Sequence, residues 1–282
     1  MLVLENPGLR GKSRITHSMY AGLQLILPGE VAPAHRHSQS ALRFILQGRG
    51  AYTAVDGEKV TMSVGDFVIT PSWTFHDHGN PSKEPMVWMD GLDVPLVELL
   101  DAQFMEKGPE ETQHTNRTEG DNLAQFGNTM KPVEHKAKSR TSPLFWYPFE
   151  RTREALETMK KGHDAHPCWG YKLMYTNPVT GDWAMPTIGT FMQILPRGFK
   201  GKDYRSTDST VYAVVEGKGR CLIAGPNGNE SLAFGPRDVF VCPSWMPYKL
   251  EADEQAVVFS FSDRPVQKAM GVWRDEAPVS DA

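Results

Sequence analysis

Apolar residues along this chain fall into short runs separated by glycine, proline and polar turns. Runs of that length predict strands, because a helix of several turns would need a longer stretch with a 3.6-residue rhythm. The clearest are Leu23–Leu27, Ala41–Leu46, Ala51–Val55, Asp66–Thr70 and Met86–Leu92. Asp56-Gly57 separates Tyr52-Thr-Ala-Val55 from Val60-Thr-Met62, which predicts a hairpin with a tight turn.

A second block repeats the layout of the first. Gln24-Leu-Ile-Leu-Pro28 is answered by Gln193-Ile-Leu-Pro196, and Leu46-Gln-Gly-Arg-Gly50 by Val215-Glu-Gly-Lys-Gly219. Gly65-Asp-Phe-Val-Ile-Thr-Pro-Ser-Trp73 is answered by Pro236-Arg-Asp-Val-Phe-Val-Cys-Pro-Ser-Trp245. Matched landmarks in the same order predict two copies of one β-barrel, offset by about 170 residues. Met105–Arg140 is polar and reads as a connector. Arg151–Lys161 is the best helix candidate: Thr152 could cap it, Ala155, Leu156 and Met159 give an apolar face, and Gly162 follows as a stop. The expected organisation is an N-terminal barrel over 1–104, a connector with a helix over 105–165 and a C-terminal barrel over 166–282, all-β apart from a few short helices.

Composition narrows the partners. The 282 residues are 40% hydrophobic and 23% charged, with a formal net charge of −4, so nothing in the balance favours nucleic acid or an anionic membrane surface. Glu5, Arg10 and Lys12 interrupt the start of the chain where a signal peptide would be apolar, and no apolar run is long enough to span a bilayer. Cys168, Cys221 and Cys242 form no CxxC pattern and read as buried reduced thiols of a cytoplasmic protein.

Candidate chemistry gathers in the first block. Gly29-Glu-Val-Ala-Pro-Ala-His35-Arg-His37 ends in a His-x-His pair, and residues two apart on a strand face the same way. A third histidine follows in Pro71-Ser-Trp-Thr-Phe-His76-Asp-His78. His35, His37 and His76 together would hold a metal on one face and leave other positions open; imidazole suits Fe, Cu, Zn and Ni alike. His78 shares strand parity with His76 and reads as a supporting residue rather than a fourth ligand. His17, His114, His135, His163 and His166 lack ligand spacing and read as surface residues.

Gly29-x5-His35-x-His37 followed by Gly48, and Gly65-x5-Pro71 followed by His76-x3-Asn80, resemble the two cupin motifs, except that Ala41 stands where a glutamate ligand is usual. The wider text resembles the gentisate 1,2-dioxygenase family over nearly the whole chain. The residues that carry this are His35-Arg-His-Ser-Gln-Ser-Ala-Leu-Arg-Phe44, Gly50-Ala-Tyr-Thr-Ala-Val-Asp-Gly57, His76-Asp-His-Gly-Asn80 and Trp88-Met-Asp-Gly-Leu-Asp93, with Arg205-Ser-Thr-Asp-Ser-Thr210 in the second block. The resemblance implies a bicupin of two jelly-roll barrels and a homotetramer. It implies an Fe(II)-dependent enzyme that cleaves gentisate with O2 to maleylpyruvate. Relatives of the same class act on salicylate or 1-hydroxy-2-naphthoate, and a non-catalytic bicupin that binds a small aromatic acid is the reading from another class. Family members usually carry a further segment before the stretch at Leu2-Val-Leu-Glu-Asn-Pro-Gly8, so adding such a segment is expected to raise turnover.

Three neutral imidazoles leave the full metal charge uncompensated, which favours an anionic chelating substrate. Arg43 lies two residues beyond Ala41 and should face the same cavity, either to hold the substrate carboxylate or in an ion pair with Asp90 or Asp66. The resemblance places Asp90 and His78 near the substrate, either orienting its hydroxyls or supporting the ligands. It also places Tyr20 and Gln24 in the pocket and makes Trp73 and Trp88 wall residues. In the second block the three ligand positions hold Tyr204, Ser206 and Tyr248, and no histidine follows His166, so no equivalent metal is expected there.

Overall fold

Every run singled out by its apolar residues forms a strand. In the computed structural model, which describes residues 1–137, 139–225 and 228–277, the chain divides into two compact units, Met1–Phe149 with Thr176–Pro186 and Glu150–Tyr175 with Thr187–Ala282. The first unit contains β1 (Leu2–Val3), β2 (Tyr20–Ile26), β3 (Val31–His37), β4 (Ala41–Gln47), β5 (Arg49–Val55), β6 (Glu58–Ser63), β7 (Phe67–Thr70), β8 (His76–Gly79), β9 (Met86–Leu92), β10 (Met105–Lys107) and β11 (Trp146–Tyr147). They make two antiparallel sheets, β1-β2-β9-β4-β7-β11 and β10-β3-β8-β5-β6. Strand β4 lies inside its sheet and is buried at every position but Gln47, which explains its apolar text, broken only by Arg43. Asp56 and Gly57 both take positive φ, 48° and 78°, as the predicted two-residue turn requires.

β3 and β8 left no apolar signal in the sequence, because Pro33, Arg36 and Asp77 and the four histidines interrupt them. The polar connector is also more structured than its composition suggests. Its β10 pairs with His35–His37 of β3. Helix α1 (Val94–Leu99) follows β9, and α2 (Asp121–Phe126) buries Asn122 and Phe126. Asn122 donates from its side chain to the fully buried Glu58 at 2.7 Å, and Arg117 pairs with the same carboxylate at 3.0 Å. A buried carboxylate needs such partners, and the connector supplies them to the first unit.

The second unit contains β12 (Tyr171–Met174), β13 (Gly189–Leu195), β14 (Arg205–Ser206), β15 (Thr210–Glu216), β16 (Gly219–Gly225), β17 (Gly228–Phe234), β18 (Val239–Cys242), β19 (Tyr248–Ala252), β20 (Ala256–Ser262) and β21 (Asp275–Glu276). The order β12-β13-β20-β15-β18 repeats the order β1-β2-β9-β4-β7 of the first unit. Finer devices repeat as well. A register shift at Ile45/Gln47 recurs at Val214/Glu216, and Gly48 and Gly217 both take positive φ, 86° and 79°. Trp73 and Trp245 sit in the left-handed region at 58° and 60°, each under an arginine, Arg36 at 4.6 Å and Arg205 at 4.5 Å. The two units are copies at the level of bulges and turns.

Helix α3 (Phe149–Gly162) begins earlier than the sequence suggests, so Thr152 lies inside it and is not its cap. Leu156 is buried and Met159 half-buried, but Ala155 is exposed, which corrects the expected face. Ion pairs hold the other side, Arg153 to Glu216 at 2.6 Å and Lys160 to Glu157 at 2.5 Å. The three cysteines are free and buried. Among the described residues no helix is long and apolar enough to cross a membrane.

Candidate metal centre

His35 and His37 alternate with Arg36 on β3, so their rings share a face. His76 is paired across from His35 by the register of β3 with β8, after a bulge between Ala32 and His35 that re-aims the strand. The ring centroids of the three histidines are 4.3–5.7 Å apart, and their ligand atoms lie within 4.8 Å of one another.

Backbone carbonyls fix which nitrogen of each ring is protonated. His35 Nδ1 contacts the Pro33 carbonyl at 2.8 Å, His37 Nδ1 that of Gln39 at 2.9 Å, and His76 Nδ1 that of Thr74 at 2.9 Å. A carbonyl can only accept, so each Nδ1 carries the proton and donates it. Each Nε2 therefore presents a lone pair, and three lone pairs face one small space. They cannot satisfy one another, whereas a cation satisfies all three. Burial depresses the His37 pKa and pushes His76 down to about 2, with the neighbouring histidines and Arg43 acting the same way. The rings are thus held in the neutral form that binds metal. Ala41, 3% exposed, lines the same cavity and offers no donor, so among the described residues the ligand set is these three.

His78 has the opposite tautomer. Its Nδ1 is approached by the Thr53 hydroxyl at 2.5 Å and by Arg43 Nη1 at 3.2 Å. Arginine only donates, so Nδ1 accepts and the proton of this neutral ring sits on Nε2. Full burial and the Arg43 charge keep the ring neutral. That explains why a fourth histidine beside three ligands is not itself a ligand. It offers an N–H where they offer lone pairs.

Arg43, 4% exposed, is the hub of this layer. Its Nη1 also donates to Thr53 Oγ1 at 3.0 Å, and its Nη2 lies 3.0 Å from Asp90 Oδ1. Of the two carboxylates considered from sequence, Asp90 is the partner. Asp66 instead accepts from Ser63 and Phe149 backbone N–H groups and from Trp146. Burial pulls the Arg43 pKa down and lifts that of Asp90, each opposed by the other's charge, and the guanidinium stays cationic. Buried Arg43 Nε has no hydrogen-bond partner, and Asp90 Oδ1 has none of good geometry despite the ion pair. The orphaned Arg43 Nε–H is a donor that a bound anion would satisfy.

These groups line one cavity of about 420 Å³, with Tyr20 and Gln24 on its wall and Lys12, Ser13, Arg14 and Glu98 toward its mouth. Gly22 leaves room for Tyr20: a Cβ there would stand 2.6 Å from the Tyr20 hydroxyl. The two tryptophans are not wall residues. Trp73 is 42% exposed, turned outward by its left-handed backbone and stacked under Arg36. Trp88 is fully buried one layer behind the wall, donating to Asp90 Oδ2 at 3.0 Å with Arg43 5.1 Å above its ring. Sequence reasoning missed Thr53, which the strand pairing sets opposite His78 and which no spacing in the sequence marks. It also missed the mouth residues, of which Lys12, Ser13 and Arg14 come from an irregular segment with no periodicity and Glu98 from the short α1. Of the remaining histidines, His17, His114 and His163 are exposed, while His135 packs on Phe126 and His166 on Trp169.

Comparison with known proteins adds to this geometry. Residues 22–94 match the cupin domain. Over 98% of its length the chain is 56% identical to gentisate 1,2-dioxygenase 1 of Aquipseudomonas alcaligenes, covering 78% of that protein. The salicylate 1,2-dioxygenase of Pseudaminobacter salicylatoxidans superposes with a TM-score of 0.90 at 36% identity, covering 98% of this chain and 79% of that one. A structure of the same enzyme in adducts with gentisate superposes with a TM-score of 0.90 at 35% identity, over 98% of this chain and 76% of that one.

Proposed function

The chain belongs to the gentisate 1,2-dioxygenase family of bicupin dioxygenases, and we propose that it cleaves the ring of gentisate with O2, giving maleylpyruvate, at an iron(II) ion held by His35, His37 and His76. The observation that carries this is the pairing of three converging Nε2 lone pairs with a buried guanidinium in one cavity. The donor set fits a divalent metal with positions left open. Iron(II) bound there would supply those positions to the acid and to O2 and would relay electron density from the acid, which is the reductant, to O2.

The protein's own residues do the positioning. Arg43 holds the substrate carboxylate with the donor capacity that Thr53, His78 and Asp90 leave free. Asp90 and Trp88 fix the guanidinium in place, since its long side chain would otherwise sample several rotamers. His78 donates from Nε2 to an oxygen of the bound acid, and its neutral tautomer is set from behind by Thr53 and Arg43. Tyr20 and Gln24 close the wall on which the ring lies. The second unit has no histidine at the equivalent positions and does no ring cleavage. A homotetramer in the cytoplasm goes with this reading, and size-exclusion chromatography with light scattering checks the assembly.

Oxygen uptake by the iron(II)-reconstituted chain tests the proposal, with gentisate, salicylate and 1-hydroxy-2-naphthoate supplied in turn. Uptake is expected with gentisate, with formation of maleylpyruvate. Uptake only with one of the other two would move the assignment within the family, and uptake with none would favour a binding module.

A further inference from the structure

The second unit encloses a cavity of about 200 Å³ at the place where the first unit has its metal ligands. Tyr204 and Tyr248 pair across two strands as His35 and His76 do, and Tyr212 stands at the position of Arg43. From this cavity and its charges we propose that the second barrel binds a small single-ring aromatic carboxylate without a metal, with Lys172 as its anion partner.

Charge is the first argument. Lys172 and Arg264 both line the cavity. Arg264 is paired with Asp208 at 3.1 Å, and that carboxylate is fully buried. Lys172 has only aromatic faces beside it, Phe191 at 4.6 Å and Tyr212 at 5.9 Å, and no carboxylate within ion-pair distance among the described residues. A cation taken from water and given only ring faces is poorly compensated, and a carboxylate in the cavity would complete it. Burial first, then Arg264, holds the Lys172 amine down to about 7, while Asp208 and Cys242 act in the opposite direction. A bound anion would restore its charge.

Shape and hydrogen bonding are the second. The walls are rings: Trp169, Phe191, Tyr204, Tyr212 and Tyr248. The Tyr212 and Tyr248 hydroxyls share a hydrogen bond of 2.7 Å, in which only one of the two oxygens donates. The other hydroxyl keeps its proton for a ligand. Drug-sized pockets start at about 300 Å³, so this cavity suits one ring rather than two.

The test uses the iron(II)-loaded full chain and ¹⁹F NMR with 4-fluorobenzoate, kept anaerobic. Ligand beside the iron is broadened by it, so a second-barrel population shows as a narrow, saturable bound signal. That signal is expected to weaken at least tenfold in affinity in Lys172→Met and severalfold in Tyr248→Phe, which keeps the ring and the packing. Arg43→Ala is expected to leave it unchanged. Absence of a narrow bound signal in the unsubstituted chain would overturn the proposal. So would a signal that survives both second-barrel substitutions, or one that disappears with Arg43→Ala.

Discussion

The two barrels share strand order, bulge position, left-handed turns and even the arginine over each turn tryptophan, yet their cavities do opposite things. In the first, each ligand ring is tied by Nδ1 to a carbonyl, and the lone pairs left over need a cation. In the second, Tyr248 at a ligand position shares a hydrogen bond with Tyr212, the counterpart of Arg43, and Lys172 lies against aromatic faces, which is why we propose an anion there. The buried arginine of the first barrel has its carboxylate in Asp90; the partly buried lysine of the second has none within ion-pair distance among the described residues. Backbone geometry therefore sets where a cupin cavity lies, and a handful of side chains decide the sign of what it holds.

The largest effect should come from removing a ligand. His37→Ala is expected to abolish metal binding and to lower ring cleavage by about a thousandfold or more, read by metal analysis and oxygen uptake. The same measurements on Tyr248→Phe should show no change, since the second barrel contributes no ligand. Full activity in His37→Ala would erase the distinction between the barrels.

Next come Arg43 and Lys172. Arg43→Ala should lower kcat/KM at least about tenfold with metal retained, and should lower Tm, because Asp90 loses the partner of its buried charge. Lys172→Met should do the reverse to stability, raising Tm by replacing an amine that is costly to protonate where it lies, while leaving kcat/KM intact. Equal and same-signed Tm shifts would contradict the contrast. Thr53→Val removes the hydroxyl that orients His78, and about a tenfold loss in kcat is expected with KM little changed.

Acid should separate the units further. His76 and His78 have folded pKa values depressed below the ordinary 6.5, so the unfolded chain binds more protons than the folded one as pH falls. Their contribution to stability is present above about pH 6.5 and is lost below it, at up to about 1.4 kcal/mol per pH unit for each ring. Lys172, depressed from 10.5 to about 7, stabilises in the same sense but loses its contribution between those values, before the histidines begin to titrate. Thermal unfolding of the metal-stripped chain from pH 8 to 5 should show Tm falling mainly below pH 6.5; Tm independent of pH there would place the histidines in solvent. The smallest effect is expected for Tyr212→Phe, which removes one buried hydrogen bond and should reduce stability by about 1 kcal/mol in denaturant titration.

Much of this arrangement was legible in the sequence. The repeat was visible because both copies keep the residues that bulges and turns demand, such as Gly48 with Gly217 and Trp73 with Trp245. Short apolar runs between turns marked the apolar strands, but β3 and β8 were visible only through their histidines, since site-facing positions break the hydrophobic pattern. Parity brought Arg43, His78, Tyr20 and Gln24 toward one cavity, where the structure has them. Parity could not say how deep a side chain lies, so Trp88 was expected on a wall that it supports from behind, and Trp73 on one that its positive φ turns it away from. The choice between Asp90 and Asp66 for Arg43 depended on cross-strand register, which a sequence does not display. The tautomers of His76 and His78, two residues apart, depend on carbonyl and hydroxyl contacts from other turns and strands.

The most direct test of the account is anomalous diffraction at the iron edge from crystals of the iron(II)-reconstituted chain. One peak per chain is predicted, bonded to Nε2 of His35, His37 and His76, with none in the second barrel. A peak in the cavity of Lys172, or iron bound through His78, would contradict it.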